Sequence, residues 1–195
     1  MRFTNKKGFT LVELAIVLVI IGIILGAVLK GQELINNAKM KRAYNQYREV
    51  LAAIYTYYDR YGKYPGDDNT ASTRWSVNDG NNNGIIEGFT LNCGPSVTTE
   101  SCQAWLHMRL ANILTGATTT TDGTRAPSNA YGGSIGIGLY TVSGLNTQWI
   151  GFDNVPGDVC QMIDQQYDDG VYNSGSIRSP AAYNLNGVND LYFRL

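Results

Sequence analysis

Histidine is almost missing: His107 is the single one in 195 residues. A protein zinc site draws on several histidines or thiolates, so none is expected here. A Ser-His-Asp triad needs only one histidine, but no G-x-S-x-G elbow is expected to accompany this one. His107 is therefore read as a surface or packing residue. Cysteine is sparse as well, with Cys93, Cys102 and Cys160 alone. In an oxidising compartment two of these should pair. Cys93 and Cys102 are close in sequence, with Gly94-Pro95 between them, and suit a small loop bridge. Cys160 is then free and packed as a small apolar residue; a bridge from Cys160 to one of the others is the alternative. Basic charge runs short from Gly62 onward, where 6 basic residues face 12 acidic ones. Such a balance repels phosphate, so this part is not a nucleic-acid reader.

Charge is scarcest of all between Phe9 and Leu29, where Glu13 is the only ionisable side chain. At about 1.5 Å per residue this run reaches roughly 30 Å, the hydrocarbon thickness of a bilayer. A helix satisfies its own backbone there, so a single transmembrane helix is expected. Arg2, Lys6 and Lys7 precede it and should stay in the cytoplasm, which places the rest of the chain outside. Glu13 breaks the pattern. A carboxylate in lipid is costly unless it is paired, so it marks a function. Either it snorkels to the headgroups, or a cation at the same depth pairs with it. A neighbouring subunit shifted along the helix axis supplies that cation if its chain begins with a free amine. Gly22 and Gly26 add a small-xxx-small spacing that lets backbones approach closely.

Beyond Leu29 the helix should continue. Met40, Tyr44, Tyr47, Leu51, Ile54, Tyr58 and Tyr61 alternate by four and three, a stripe that should pack on the chain's own globular part. Between Lys30 and Tyr61 there are 6 basic and 3 acidic residues, suited to anionic headgroups or acidic neighbours. The helix should end near Gly62, and Tyr64-Pro65-Gly66-Asp67 is a stop followed by a turn.

The remainder is loop-rich. Asp79, Asn81, Asn83, Gly84 and Ile86 match the first half of an EF-hand-type loop, with Glu87 at its ninth position and Thr90 where a bidentate glutamate would close it. Calcium held by Asp79, Asn81, Asn83 and Glu87 is one reading; a plain Asx-bonded turn is the other. A helix is expected over 101–114, with Leu106, Leu110, Ile113 and Leu114 on its apolar face and Trp105 flanking. Residues 115–129 read as a loop. Residues 134–142 and 147–152 should form an antiparallel hairpin around a Ser-Gly-Leu-Asn turn. A second short helix is expected over 156–166, with Val159, Met162 and Ile163 inward. Asp168 and Asp169 follow in a turn. They suit a second cation, or glycosidase chemistry, but adjacent residues in a turn rarely face one substrate. Residues 190–195 read as a closing edge strand.

The run Gly8-Phe9-Thr10-Leu11-Val12-Glu13 behind a short basic leader resembles the N-terminal signature of type IV pilins and type II secretion pseudopilins. The resemblance covers about the first fifty residues. It implies an α+β pilin-like fold, a long N-terminal helix carrying a small antiparallel sheet. It implies a leader (1–8) removed by prepilin peptidase after Gly8, methylation of the new Phe9 amine, and Glu13 as the assembly glutamate. The remaining regions are then the transmembrane and assembly helix (9–29), its amphipathic continuation (30–61) and the head (62–195). The implied function is structural, not enzymatic, and needs no cofactor beyond the calcium considered above. The subunit would wait in the inner membrane with its head outside the cytoplasm, then join a helical homo-oligomeric filament through the assembly platform. A type II secretion pseudopilin, or a minor or tip pilin that binds a surface or DNA, is the alternative. Two parts of the family pattern are absent. Lys30 stands where a helix-softening proline is common, and no cysteine follows Cys160 to close a C-terminal loop. Major pseudopilins hold calcium in an acidic C-terminal loop, to which the stretch from Asp164 to Gly170 is weakly similar.

Overall fold

The computed structural model describes residue 8 and residues 10–195. The expectations for Arg2, Lys6, Lys7 and Phe9 lie outside the described residues. In chain order the elements are α1 (Leu11–Tyr61), α2 (Ala71–Trp75), α3 (Glu100–Leu110), β1 (Ile135–Val142), β2 (Leu145–Pro156), α4 (Gly157–Tyr167), β3 (Ile177–Arg178) and β4 (Val188–Arg194). The fold is α+β, and two units divide it, Met1–Lys39 and Met40–Leu195.

In the first unit α1 is long and apolar enough to cross a membrane, and none of its apolar window is buried within the chain. It runs through Lys30 without interruption, as a residue that keeps its N–H allows.

The second unit packs the later turns of α1 on a four-stranded antiparallel sheet of order β1-β2-β4-β3. The buried column of α1 is Met40, Ala43, Val50, Ala53, Ile54 and Tyr57. Met40 and Ile54 of the expected stripe are buried, and Tyr44, Tyr47, Leu51 and Tyr61 are partly buried against the core; the fully buried line is shifted by one residue at Ala43, Val50 and Tyr57, and Tyr58 is 41% exposed. Tyrosine explains the error, because its ring and hydroxyl suit a boundary as well as a core. Tyr44 stacks on Tyr167 at 3.5 Å and Tyr47 on Phe193 at 4.4 Å, flanking the column instead of forming it.

The hairpin β1–β2 turns in two residues, Ser143-Gly144, both at positive φ (45° and 79°). Such turns match the twist of the strands; the four-residue turn expected from the sequence is shorter in fact. Ile135, Ile137, Ile150, Phe152, Leu191 and Phe193 face the core. On the opposite face Gly136 and Gly138 leave room for the segment 86–90. A Cβ on Gly136 would lie 2.5 Å from the Thr90 carbonyl oxygen, and one on Gly138 2.8 Å from that of Ile86. The segment is held there by Leu139 N–H donating to the Ile86 carbonyl at 2.7 Å. Residues 190–195 do not form an edge: β4 lies between β2 and the two-residue β3.

Helix α3 ends at Leu110, leaving Ile113 and Leu114 beyond it, and Ser101 to Arg109 are all buried. It is a core element and not the one-faced helix expected. Its polar side chains are tied to backbone carbonyls, as Gln103 Nε2 is to Val97 at 2.6 Å. In α4 Val159 and Ile163 point inward with Cys160, but Met162 is 38% exposed. Cys93 and Cys102 are joined in a disulfide, and Cys160 is free and buried.

Between α1, α2 and α3 lies a buried polar network. The Asp68 carboxylate accepts from Tyr57 Oη (2.6 Å) and from Thr70 N–H and Oγ1 (both 2.8 Å), and pairs with Arg74 and, at 3.7 Å, with Lys63. Burial pushes the Asp68 pKa up, but these donors outweigh it and hold it below its ordinary value. His107 Nδ1 accepts from Gly66 N–H at 3.0 Å, so Nε2 carries the proton it donates to the Asn78 carbonyl at 3.1 Å. Burial, the largest influence, depresses the His107 pKa below 6.5. Both groups bind fewer protons folded than unfolded, so stability rises with pH and is lost on acidification. His107's contribution is lost as pH drops below 6.5, and that of Asp68 as pH drops below 3.8. His107→Gln should flatten the upper part of a plot of urea midpoint against pH and leave the lower part. Asp68→Asn should cost about 3 kcal/mol at neutral pH by leaving Arg74 and Lys63 unpaired. Reduction of the Cys93–Cys102 bridge should lower the urea midpoint, by about 2–3 kcal/mol from loop closure, whereas blocking Cys160 should require prior unfolding.

Candidate functional site

Thr10-Leu11-Val12-Glu13 forms a capping box at the start of α1. Glu13 N–H donates to Thr10 Oγ1 at 3.2 Å, while Glu13 Oε2 accepts Thr10 N–H at 2.8 Å and Thr10 Oγ1–H at 2.9 Å. A helix start leaves such N–H groups without partners, and a threonine with a glutamate three residues on satisfies them reciprocally. Sequence reasoning found Glu13 by its charge and missed Thr10. The signal was there in the T-x-x-E spacing. Glu13 is exposed, and its Oε1 accepts no hydrogen bond from the described residues. No lysine or arginine lies within 4.0 Å of it among them.

From Leu11 to Leu29 every side chain is exposed. Around Gly22 and Gly26 a Cβ would meet nothing within 4 Å, so nothing inside the described chain demands glycine there. At the polar end of the run Lys30 pairs with Glu33 at 2.7 Å, both exposed; such a pair contributes little to stability.

The EF-hand-like loop is split between partners. Asp79 turns to Ser72, taking its N–H at 2.7 Å and its hydroxyl at 2.6 Å. Asn81 and Asn83 direct amide N–H groups at Glu87 (3.1 and 2.8 Å). Their own carbonyl oxygens take the N–H of Asn83 and Ile85. A missed residue organises this loop: the buried Asp67 carboxylate accepts Asn83 N–H at 2.9 Å and Gly84 N–H at 2.8 Å. The bonding is that of an Asx-rich turn.

Asp168 and Asp169 do come together with Asp164, one oxygen of each lying within 4.8 Å of the others. Oxygen donors of this kind suit a hard cation. Here they hold the chain's own groups. Asp164 accepts Tyr183 Oη–H (2.6 Å) and Gly170 N–H (3.2 Å), Asp168 the N–H of Ser176 and Ile177 (2.6 and 2.7 Å), and Asp169 Val171 N–H (2.8 Å) and Ser174 Oγ–H (2.6 Å). Burial chiefly raises the Asp164 pKa, and the neighbouring Asp169 and Asp168 charges add to it.

Gly132-Gly133-Ser134-Ile135-Gly136 does have the G-x-S-x-G spacing, which the sequence reading passed over. Ser134 nevertheless leads into β1 and not into a helix, and its N–H donates to the Asp153 carboxylate. Both His107 nitrogens are engaged elsewhere, so the pattern is not a nucleophile elbow.

Residues 3–29 match the family described as the prokaryotic N-terminal methylation motif. The chain is 36% identical over 74 residues to the fimbrial protein EcpC of Eikenella corrodens, an alignment covering 37% of this chain. It spans about half the length of that relative, at 48%. No solved structure matches. In its methylation motif, its long apolar helix opening on Thr10 and Glu13 and its α+β fold, the chain is similar to type IV pilins and pseudopilins.

Proposed function

We propose that the chain is a structural subunit of a type IV pilus-like filament. It is cut by prepilin peptidase between Gly8 and Phe9, methylated on the Phe9 amine, and polymerised through the apolar part of α1. Before assembly it spans the inner membrane once, with the second unit outside the cytoplasm. The observation that carries this reading is Glu13. It is an acid on an apolar, wholly exposed helical surface, with one oxygen held by Thr10 and the other without a donor among the described residues. In hydrocarbon that oxygen needs a cation. The Phe9 amine of a neighbouring subunit, displaced along the filament axis, provides one at the right depth. Exposed glycines at 22 and 26 support close helix approach in the same layer. The named relative, a fimbrial protein, favours a pilus over a secretion pseudopilus.

Glu13→Ala should leave membrane insertion intact and abolish sheared filaments; normal filaments from that variant would remove the role. Thr10→Val, which keeps size but loses both the hydroxyl donor and acceptor, should reduce filament yield, while Thr10→Ser should retain it. Mass spectrometry of the mature subunit should find Phe9 as a methylated N-terminus. A subunit beginning at Met1 within assembled filaments would count against the cleavage.

A further inference from the structure

A second site lies in the head, far along the sequence from Glu13. Between α1 and α3 there is a cavity of about 150 Å³, the size of an engineered cavity that admits benzene. Gln46, Glu49 and Val50 line it from α1, Trp105 and Arg109 from α3, and Ile135 from β1. Three buried polar atoms of these residues have no hydrogen-bond partner among the described residues: Gln46 Oε1, Trp105 Nε1 and Arg109 Nε. Trp105 is fully buried and Arg109 is 8% exposed. Native interiors leave few such groups unpaired, and each one calls for a partner.

Arg109 is the most demanding of the three. Its Nη1 donates to the carbonyls of Gly123 and Arg125, the latter at 2.8 Å. No carboxylate lies within 4.0 Å of it among the described residues. Burial alone depresses its pKa, with no neighbouring negative charge to oppose it. Gly116 lies close beside its Nε, where a Cβ would sit 2.5 Å away, and offers that nitrogen no acceptor among the described residues. A buried guanidinium without a counter-charge is costly, and an anion that accepts from it removes the cost.

We propose that this cavity binds a small hydroxy- or amino-carboxylate. The carboxylate accepts from Arg109 Nε–H and Trp105 Nε1–H, and the hydroxyl or ammonium donates to Gln46 Oε1. The ligand class follows from the three atoms. Two donors and a positive charge require an anionic acceptor, and a planar carboxylate fits an arginine edge. Gln46 Oε1 requires that the same molecule also donate. Val50 and Ile135 provide an apolar wall for a short carbon chain. The exposed carboxylate of Glu49 at the rim disfavours dianions such as phosphate. The competing occupant is a pair of ordered waters, which would bridge the same atoms.

The test uses the full chain in detergent micelles with the tryptophan indoles labelled with nitrogen-15. The Trp105 resonance is assigned by its loss in Trp105→Phe, and L-lactate is titrated in. A saturable shift confined to the Trp105 indole is expected. Acetate, which cannot donate to Gln46, should bind about fivefold more weakly, the equivalent of one hydrogen bond. Gln46→Leu should bring lactate down to the level of acetate, and Glu49→Gln should tighten both. A Trp105 signal that stays still, or that drifts linearly as it does with chloride, would overturn the site, provided the Trp149 resonance reports an intact head. Equal affinity for lactate and acetate in the unaltered chain would overturn the ligand class.

Discussion

A carboxylate in hydrocarbon must find a donor, and α1 is built around that requirement. Its first turns expose an unbroken apolar surface, which gains nothing inside a single chain and is stable only in lipid or against other apolar helices. The capping box meets half of the need by giving Glu13 both donors of Thr10. The same two hydrogen bonds define where the helix starts, so the residue that marks the site also fixes the geometry of the helix end that presents it. Farther along, the same helix packs on the chain's own head. From Met40 onward its inward column is alanine, valine, isoleucine and one tyrosine, packed on a sheet as in any water-soluble domain.

The head is short of regular structure and rich in acids, and these two facts are connected. Long loops carry backbone N–H groups that no ladder satisfies. Asp67 takes two from Asn83 and Gly84, Asp168 two from Ser176 and Ile177, Asp164 one from Gly170, and Asp169 one from Val171. Aspartate is the residue for this work, because an ionised carboxylate is an acceptor only and strengthens each N–H bond it receives. Twelve acids against six bases from Gly62 onward thus reflect loop pinning more than a charged surface looking for a partner.

The legible parts of the fold were those where chemistry leaves one option. An apolar run with one acid, alternating isoleucines separated by glycines, and two cysteines nine residues apart each favoured one arrangement over its alternatives, and the helix, the hairpin and the bridge are present. The illegible parts were those where a residue type has two uses. Tyrosine reads as core or as boundary, and the face of α1 was assigned one residue out of phase. A helix carrying Gln103, His107 and Arg109 reads as half exposed, yet α3 is buried because each of these side chains reaches a backbone carbonyl. Asp67 and Asp68 read as the tail of a turn, since nothing local reveals that Tyr57, eleven residues earlier, and Asn83, sixteen later, come back to them. The final strand read as an edge because its partner β3 is two residues long, below what alternation can reveal.

The way this chain treats its charges bears on which of them act outside it. Asp68 is surrounded by a phenol, a hydroxyl, an N–H, a guanidinium and an ammonium. Asp164 and Asp168 each have two donors from the chain. These acids are complete, and removing them damages the fold. Among the described residues Glu13 is supplied by Thr10 alone, through one oxygen, inside the apolar run near its start. Arg109 is the inverse case, a buried cation with carbonyls but no acid. Among the described residues neither of these two is given a counter-charge, which is the ground for proposing a partner on another subunit for Glu13 and a small anion for Arg109. The difference lies in accessibility: Glu13 stands on an open helix surface, and Arg109 is buried beside a cavity of about 150 Å³.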